Sequence, residues 1–140
     1  MSQPTFNQSI GVFFIRVLLG LIFCLQGFTK VFKWGIDSMY KNAFETYEDS
    51  LPKVITVFTA YYTSYVELIA GFLLIVGFLR NYALYALGSV LLIVSFGHGL
   101  KEGIWDLNHV IFRAILLIAL FLLPGNWDKW QLGNLLNKTK

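Results

Sequence analysis

Four stretches of the chain, residues 10–28, 61–79, 82–99 and 109–123, are almost free of charge. A helix crossing the ~30 Å hydrocarbon core of a bilayer needs about 20 apolar residues. The first three stretches meet that need. The fourth is short, but Ile104 and Trp105 ahead of it and Pro124 behind it allow an extension. In hydrocarbon every backbone polar group must be satisfied internally, which restricts such segments to helices. The chain therefore reads as all-α, a single integral membrane four-helix bundle. Its spans fall at approximately 10–30, 54–79, 82–99 and 105–123, with an interfacial tail at 126–140.

Composition agrees. Hydrophobic residues make up 56% of the 140 and charged residues 14%, where a soluble domain carries about a quarter charged. The net charge of +3 comes from basic residues scattered singly, which gives no nucleic-acid footprint. The first stretch has no basic lead-in, carries Arg16 inside it and is followed by no small-x-small site. It reads as a span rather than a leader. Cys24 stands alone, so no dithiol cycle can run within the chain.

One long loop separates the first two spans. Within it Tyr40, Phe44, Tyr47 and Leu51 form one helical stripe, and Asp37, Lys41, Glu45 and Glu48 form the opposite face. That is a short amphipathic helix, resting on the interface as a connector or lying over the bundle as a lid. The tail carries Trp127 and Trp130, which place it at headgroup level. Both termini and the Arg80 turn share one side. Lys and Arg near the span ends are almost balanced between the two sides, with a lean towards cytoplasmic termini.

Arg16, Gly20, Phe23, Gly27 and Lys30 share one stripe of the first span. Glycines there let helices approach closely. The second span repeats the device with Glu67 and Gly71. An ionisable residue within a span is expensive and must be paired, protonated or in a cavity. Glu67 lies 12 residues before Leu79, about 18 Å from the terminal side at ~1.5 Å per residue. Lys30, His98, His109 and Arg113 fall in the same half of the membrane. Arg16 is left near the other face, where its stem can snorkel to water.

Two readings compete. In one, Glu67 pairs with Arg113, or with Arg16, as a structural lock. In the other, five converging polar groups beside Tyr62 and other aromatics make a small-ligand site. The two histidines lack the further ligands that zinc needs. A haem between them has no small-residue pocket written around it.

With Arg16-x3-Gly20-x2-Phe23-x3-Gly27-x2-Lys30 in the first span and Glu67-x3-Gly71-x5-Gly77-x2-Arg80 in the second, the chain resembles the DoxX family of small bacterial membrane proteins. The resemblance implies a four-helix membrane subunit. Some members serve quinone-linked oxidoreductases acting on reduced sulfur compounds, and others accompany redox-defence proteins. The expectation is a non-catalytic or accessory subunit of a membrane oxidoreductase, with quinone as possible cofactor and partner proteins supplying electrons. Glu67 would carry the proton. Lys30, His98, His109, Arg113 and Tyr62 would bind the ligand, and Arg16, Gly20, Gly27 and Gly71 would hold the helices together. No metal is expected. The alternative is an anchor that assembles partner proteins without a ligand of its own. A transporter is disfavoured, because no inverted repeat is visible.

Overall fold

A computed structural model describes residues 3–101 and 108–137; the side chains of His109 and of residues 135–137 fall outside the description. The described residues are helical, with no strand among them. Six α-helices follow in order: α1 (Phe6–Phe28), α2 (Ile36–Ala43), α3 (Lys53–Val76), α4 (Arg80–Lys101), α5 (Asn108–Leu122) and α6 (Leu132–Asn137). α1 continues as a π-helical segment, Thr29–Trp34, so that 29 residues from Phe6 to Trp34 form one apolar rod.

Three helices, Phe6–Trp34, α3 and α4, are long and apolar enough to cross a membrane. α5 is apolar but has 15 residues, about 22 Å at ~1.5 Å each. Its proposed beginning at Trp105 lies outside the described residues. α1 packs on α3, α3 on α4, α4 on α5, and α5 returns to α1. The core inside this ring is built from Val12, Leu19, Phe23, Leu74, Leu84, Leu87 and Leu120. Outside it, Phe14, Ile69, Phe72, Leu92, Phe112 and Leu122 are exposed, an apolar surface suited to lipid rather than water.

The ends of the helices are accounted for locally. Thr5 caps α1 in a capping box with Gln8, which satisfies two orphan N–H groups reciprocally. α3 stops at Gly77, whose φ of +70° is left-handed. Phe78 N–H donates to Leu73 O at 2.9 Å and Gly77 N–H to Leu74 O at 3.1 Å, a Schellman closure.

The α1–α3 contact is the tightest in the molecule. A Cβ on Gly27 would stand 2.3 Å from Leu68 N, and one on Gly71 would stand 2.4 Å from Cys24 N. Backbone meets backbone here, and only glycine permits it. The inward stripe expected from the sequence is present: Arg16, Gly20, Phe23 and Gly27 are all buried.

The long loop is two short pieces rather than one helix. α2 ends at Phe44 and a 3-10 turn, Glu45–Tyr47, follows. Ile36 and Met39 are its most buried residues, packed on Ala60 of α3. The stripe of Tyr40, Phe44, Tyr47 and Leu51 is half-buried. This strap is tied down by polar contacts. The Tyr40 hydroxyl donates to Glu48 and lies 3.1 Å from Thr56 Oγ1. Tyr61 donates to Asp37 at 3.1 Å, and Lys101 Nζ lies 4.7 Å from the centre of the Tyr47 ring.

Candidate functional site

Glu67 is 2% exposed, and its Oε2 accepts a 2.7 Å hydrogen bond from Lys30 Nζ. The pair joins the two helices that the glycines bring together. Gly27 lies one turn below Lys30 on α1, and Gly71 one turn below Glu67 on α3. The π-helical turn carries Lys30, and such turns are frequent at functional positions. The lysine side chain keeps a fifth of its surface open, while that of Glu67 is almost closed off. A buried pair of this kind offsets its desolvation only when the geometry is good, and 2.7 Å is a strong charge-assisted contact.

Arg113 is therefore not the direct partner of Glu67. It acts on Glu67 through its charge, while its guanidinium sits 5.8 Å from the centre of the Phe23 ring, within cation–π range. Tyr62 is also occupied otherwise: its hydroxyl and Ser89 Oγ are 2.7 Å apart, bridging α3 and α4.

Above the pair lies a cavity of about 660 Å³. The strap forms its outer wall through Met39, Phe44 and Tyr47, α3 contributes Thr56 and Thr59, and α4 contributes the turn up to His98. Lys30 reaches into it from α1. The lining is apolar apart from Lys30, His98, two threonines and one tyrosine. Its size falls within the ~300–1,000 Å³ usual for small-ligand pockets. Of the five expected ligand-binding residues, the structure brings Lys30 and His98 to this cavity. Arg113 and Tyr62 do not line it, and the side chain of His109 lies outside the described residues. His98 is exposed rather than enclosed.

One titratable contact of the strap is that of Tyr40 with Glu48. Its phenol is pushed up from the ordinary value of 10.0, chiefly by the hydrogen bond it donates to Glu48. Protonated, it holds the cavity's outer wall against α3.

A second polar cluster occupies the terminal side. Arg16 is 0% exposed, which corrects the expectation that it snorkels to water. Its Nε stands 2.9 Å from Asp128 Oδ2, an ion pair by distance whose angle falls short of a hydrogen bond. It donates to Leu74 O, to Ile75 O at 2.8 Å and to Trp130 O at 2.6 Å. Arg80 donates to Leu120 O and, at 3.2 Å, to Leu123 O. Each arginine thus reaches carbonyls at a helix C-terminus, Arg16 that of α3 and Arg80 that of α5, where positive charge is favoured. Asp128, 0% exposed, neutralises one of them. It is the single acidic residue after position 107, and that isolation beside two tryptophans was the available signal of its role.

The architecture is that of a polytopic helical membrane protein with a buried acid–base pair under an extramembrane strap. The chain belongs to the DoxX family: the family model, described as DoxX, matches residues 11–99, which take in most of α1, the strap, α3 and most of α4. Among curated proteins and among solved structures, none matches the chain.

Proposed function

We propose that the chain is a membrane subunit of a quinone-linked redox complex and holds a quinone in the cavity beneath the strap. The observation that supports this is the state of Lys30. An ammonium has three N–H donors, and one is engaged by Glu67. Among the described residues the other two meet no acceptor, and they can serve a ligand in the cavity. Because the Lys30–Glu67 pair is neutral as a whole, it favours a neutral acceptor such as a carbonyl over an anion, which would have to displace Glu67. Apolar walls suit the ring.

Reduction of a quinone to a quinol takes two electrons and two protons. A partner protein supplies the electrons. Lys30 would donate one proton to the nearer oxygen; Glu67, taking up a proton from water once the ammonium beside it is neutralised, would return it to the amine. His98, at the rim, is placed to supply the second from water. Oxidation runs the same steps in reverse. In this reading α5 is the fourth span, the protein resides in a bacterial cytoplasmic membrane with both termini inside, and the cavity opens towards the outer half.

A second reading has an observation of its own. The Lys30–Glu67 pair is complete without a ligand, as a lock in an anchoring subunit would be. Purification in mild detergent, with extraction and absorbance of bound quinone and mass spectrometry of copurifying proteins, tests the first reading. Variants separate the two. Glu67→Gln with Lys30→Gln removes both charges and restores balance. If the pair is a lock, the double variant recovers stability and activity together. If it serves a quinone, stability recovers and activity does not. Lys30→Gln alone is expected to weaken quinone binding about tenfold or more, the scale of a hydrogen bond from a charged donor. Unchanged affinity in that variant counts against the site.

A further inference from the structure

The cavity has a side as well as a roof. Leu92 and Phe96 line it, yet they are 74% and 63% exposed. They sit four residues apart on α4, one above the other. The face of α4 turned into the bundle is a different one, carrying Leu84, Leu87 and Leu91. Leu92 and Phe96 therefore stand where the cavity meets the outer surface of a membrane-length helix.

Their depth is the second observation. α4 begins at Arg80 on the terminal side. Leu92 is 12 residues along and Phe96 is 16, about 18 and 24 Å at ~1.5 Å per residue. Both heights lie inside a ~30 Å hydrocarbon core, and Leu92 is level with Glu67. The third is capacity. At the ~30 Å³ that a water-sized group occupies in a liquid, the cavity of about 660 Å³ holds on the order of 20 non-hydrogen atoms. That accommodates a substituted ring and the start of a chain. A longer chain must leave, and at hydrocarbon depth the lining residues that also face outward are Leu92 and Phe96.

We infer that the cavity is entered sideways from the bilayer past Leu92 and Phe96, and that its ligand is a long-tailed lipid whose head meets Lys30 and whose tail remains in the hydrocarbon. This rests on the quinone reading and narrows it to membrane-dissolved quinones, as opposed to short, water-soluble ones. Lys30 fixes the head by hydrogen bonding, the strap covers it from the aqueous side, and the tail fixes its direction. Exchange then needs no opening of the strap: the ligand slides in the plane of the membrane past two side chains with freedom to change rotamer on a lipid-facing surface.

The test uses the full chain in phosphatidylcholine nanodiscs and two probes. One is a methoxylated benzoquinone ring without a tail. The other is the same ring with a decyl tail ending in a photoreactive diazirine. Ring binding is measured by equilibrium dialysis, and illumination is followed by peptide mass spectrometry. The expected result is attachment of the tail to the peptide holding Leu92 and Phe96. Leu92→Trp, a bulky apolar change that a lipid-facing position tolerates, should lower tail attachment per bound ring about tenfold, a decade being the effect of a modest steric barrier. Phe96→Ala, which widens the opening, should raise attachment. If the ring binds but the tail attaches to the strap at 36–51, or to no residue of α4, the sideways entry is overturned and the quinone site stands. If neither probe binds, both fail together.

Discussion

Replacing Gly27 by alanine tests the joint on which the site is built. The new Cβ would stand 2.3 Å from Leu68 N, 2.7 Å from Leu68 Cα and 2.8 Å from Leu68 Cβ. Two of those atoms are backbone, so no rotamer change relieves the clash. Restoring an ordinary 3.4 Å contact from 2.3 Å requires α1 and α3 to part by about 1.1 Å at this level. Overpacking of that kind costs about 1–3 kcal/mol, and the backbone clash places it near the upper end. Alanine returns about 0.5–1 kcal/mol through its better helix propensity. The net expectation is a loss of about 2 kcal/mol. Gly11→Ala supplies the control, because nothing lies within 4 Å of its added Cβ. It gains the propensity without the clash and should stabilise by ~0.5–1 kcal/mol. The two variants make the same chemical change on the same helix, so their difference, about 3 kcal/mol, reports the packing alone. Equilibrium unfolding in mixed micelles, followed by far-ultraviolet circular dichroism, reads it. The separation also pulls on the 2.7 Å contact between Lys30 and Glu67, so quinone affinity should fall in Gly27→Ala and hold in Gly11→Ala. A Gly27→Ala protein as stable as the parent would refute the close approach of α1 and α3.

Three further outcomes are expected. Arg16→Gln should destabilise by about 3–5 kcal/mol, because it leaves Asp128 charged and buried without its partner; Asp128→Asn should cost less, because Arg16 keeps its three carbonyl acceptors, and equal losses in an unfolding titration would contradict this order. Tyr40 has its folded pKa raised above 10.0, so its tether contributes fully below pH 10.0 and is lost as pH rises through the higher folded value; proteolysis of the strap should increase across that window in the parent and less steeply in Tyr40→Phe, where the Tyr61–Asp37 contact remains. A cysteine placed at Glu45 should react with a membrane-impermeant reagent from outside the cell and one placed at Lys129 should not, the reverse pattern inverting the proposed orientation.

The inward stripe of α1 was legible because its residues obey one helical period, and that period survives from Arg16 to Gly27 whatever else the chain does. The length and apolarity of α1, α3 and α4 were legible for a similar reason, since a bilayer leaves few alternatives. Pairings were harder. Lys30 and Glu67 are both visible as misplaced charges, yet their union depends on how a π-helical turn at the end of α1 aims a long side chain. Depth alone could not separate Lys30 from Arg113. Asp128 was missed as a partner because the tail reads as an interfacial ribbon. Nothing local says that the ribbon folds back by 112 positions to meet Arg16. The cavity itself emerges from the strap, whose stripe was readable but whose break at Phe44 and burial of Ile36 and Met39 depend on what α3 presents beneath it.

Arg16 and Lys30 divide the length of α1 between them, and both reach across to α3: one grips its last carbonyls, the other its glutamate. With interlocked glycines in between, α1 and α3 behave as one stiff beam, bolted near each end and along its seam. α4 and α5 have no such fastening to each other at the strap end among the described residues, and α4 carries one wall of the cavity. A change of cavity volume therefore falls on the walls outside that beam, the strap and the end of α4 beyond its Tyr62–Ser89 contact with α3. Because α4 also borders lipid, the thickness and lateral pressure of the surrounding bilayer reach one wall of the cavity directly.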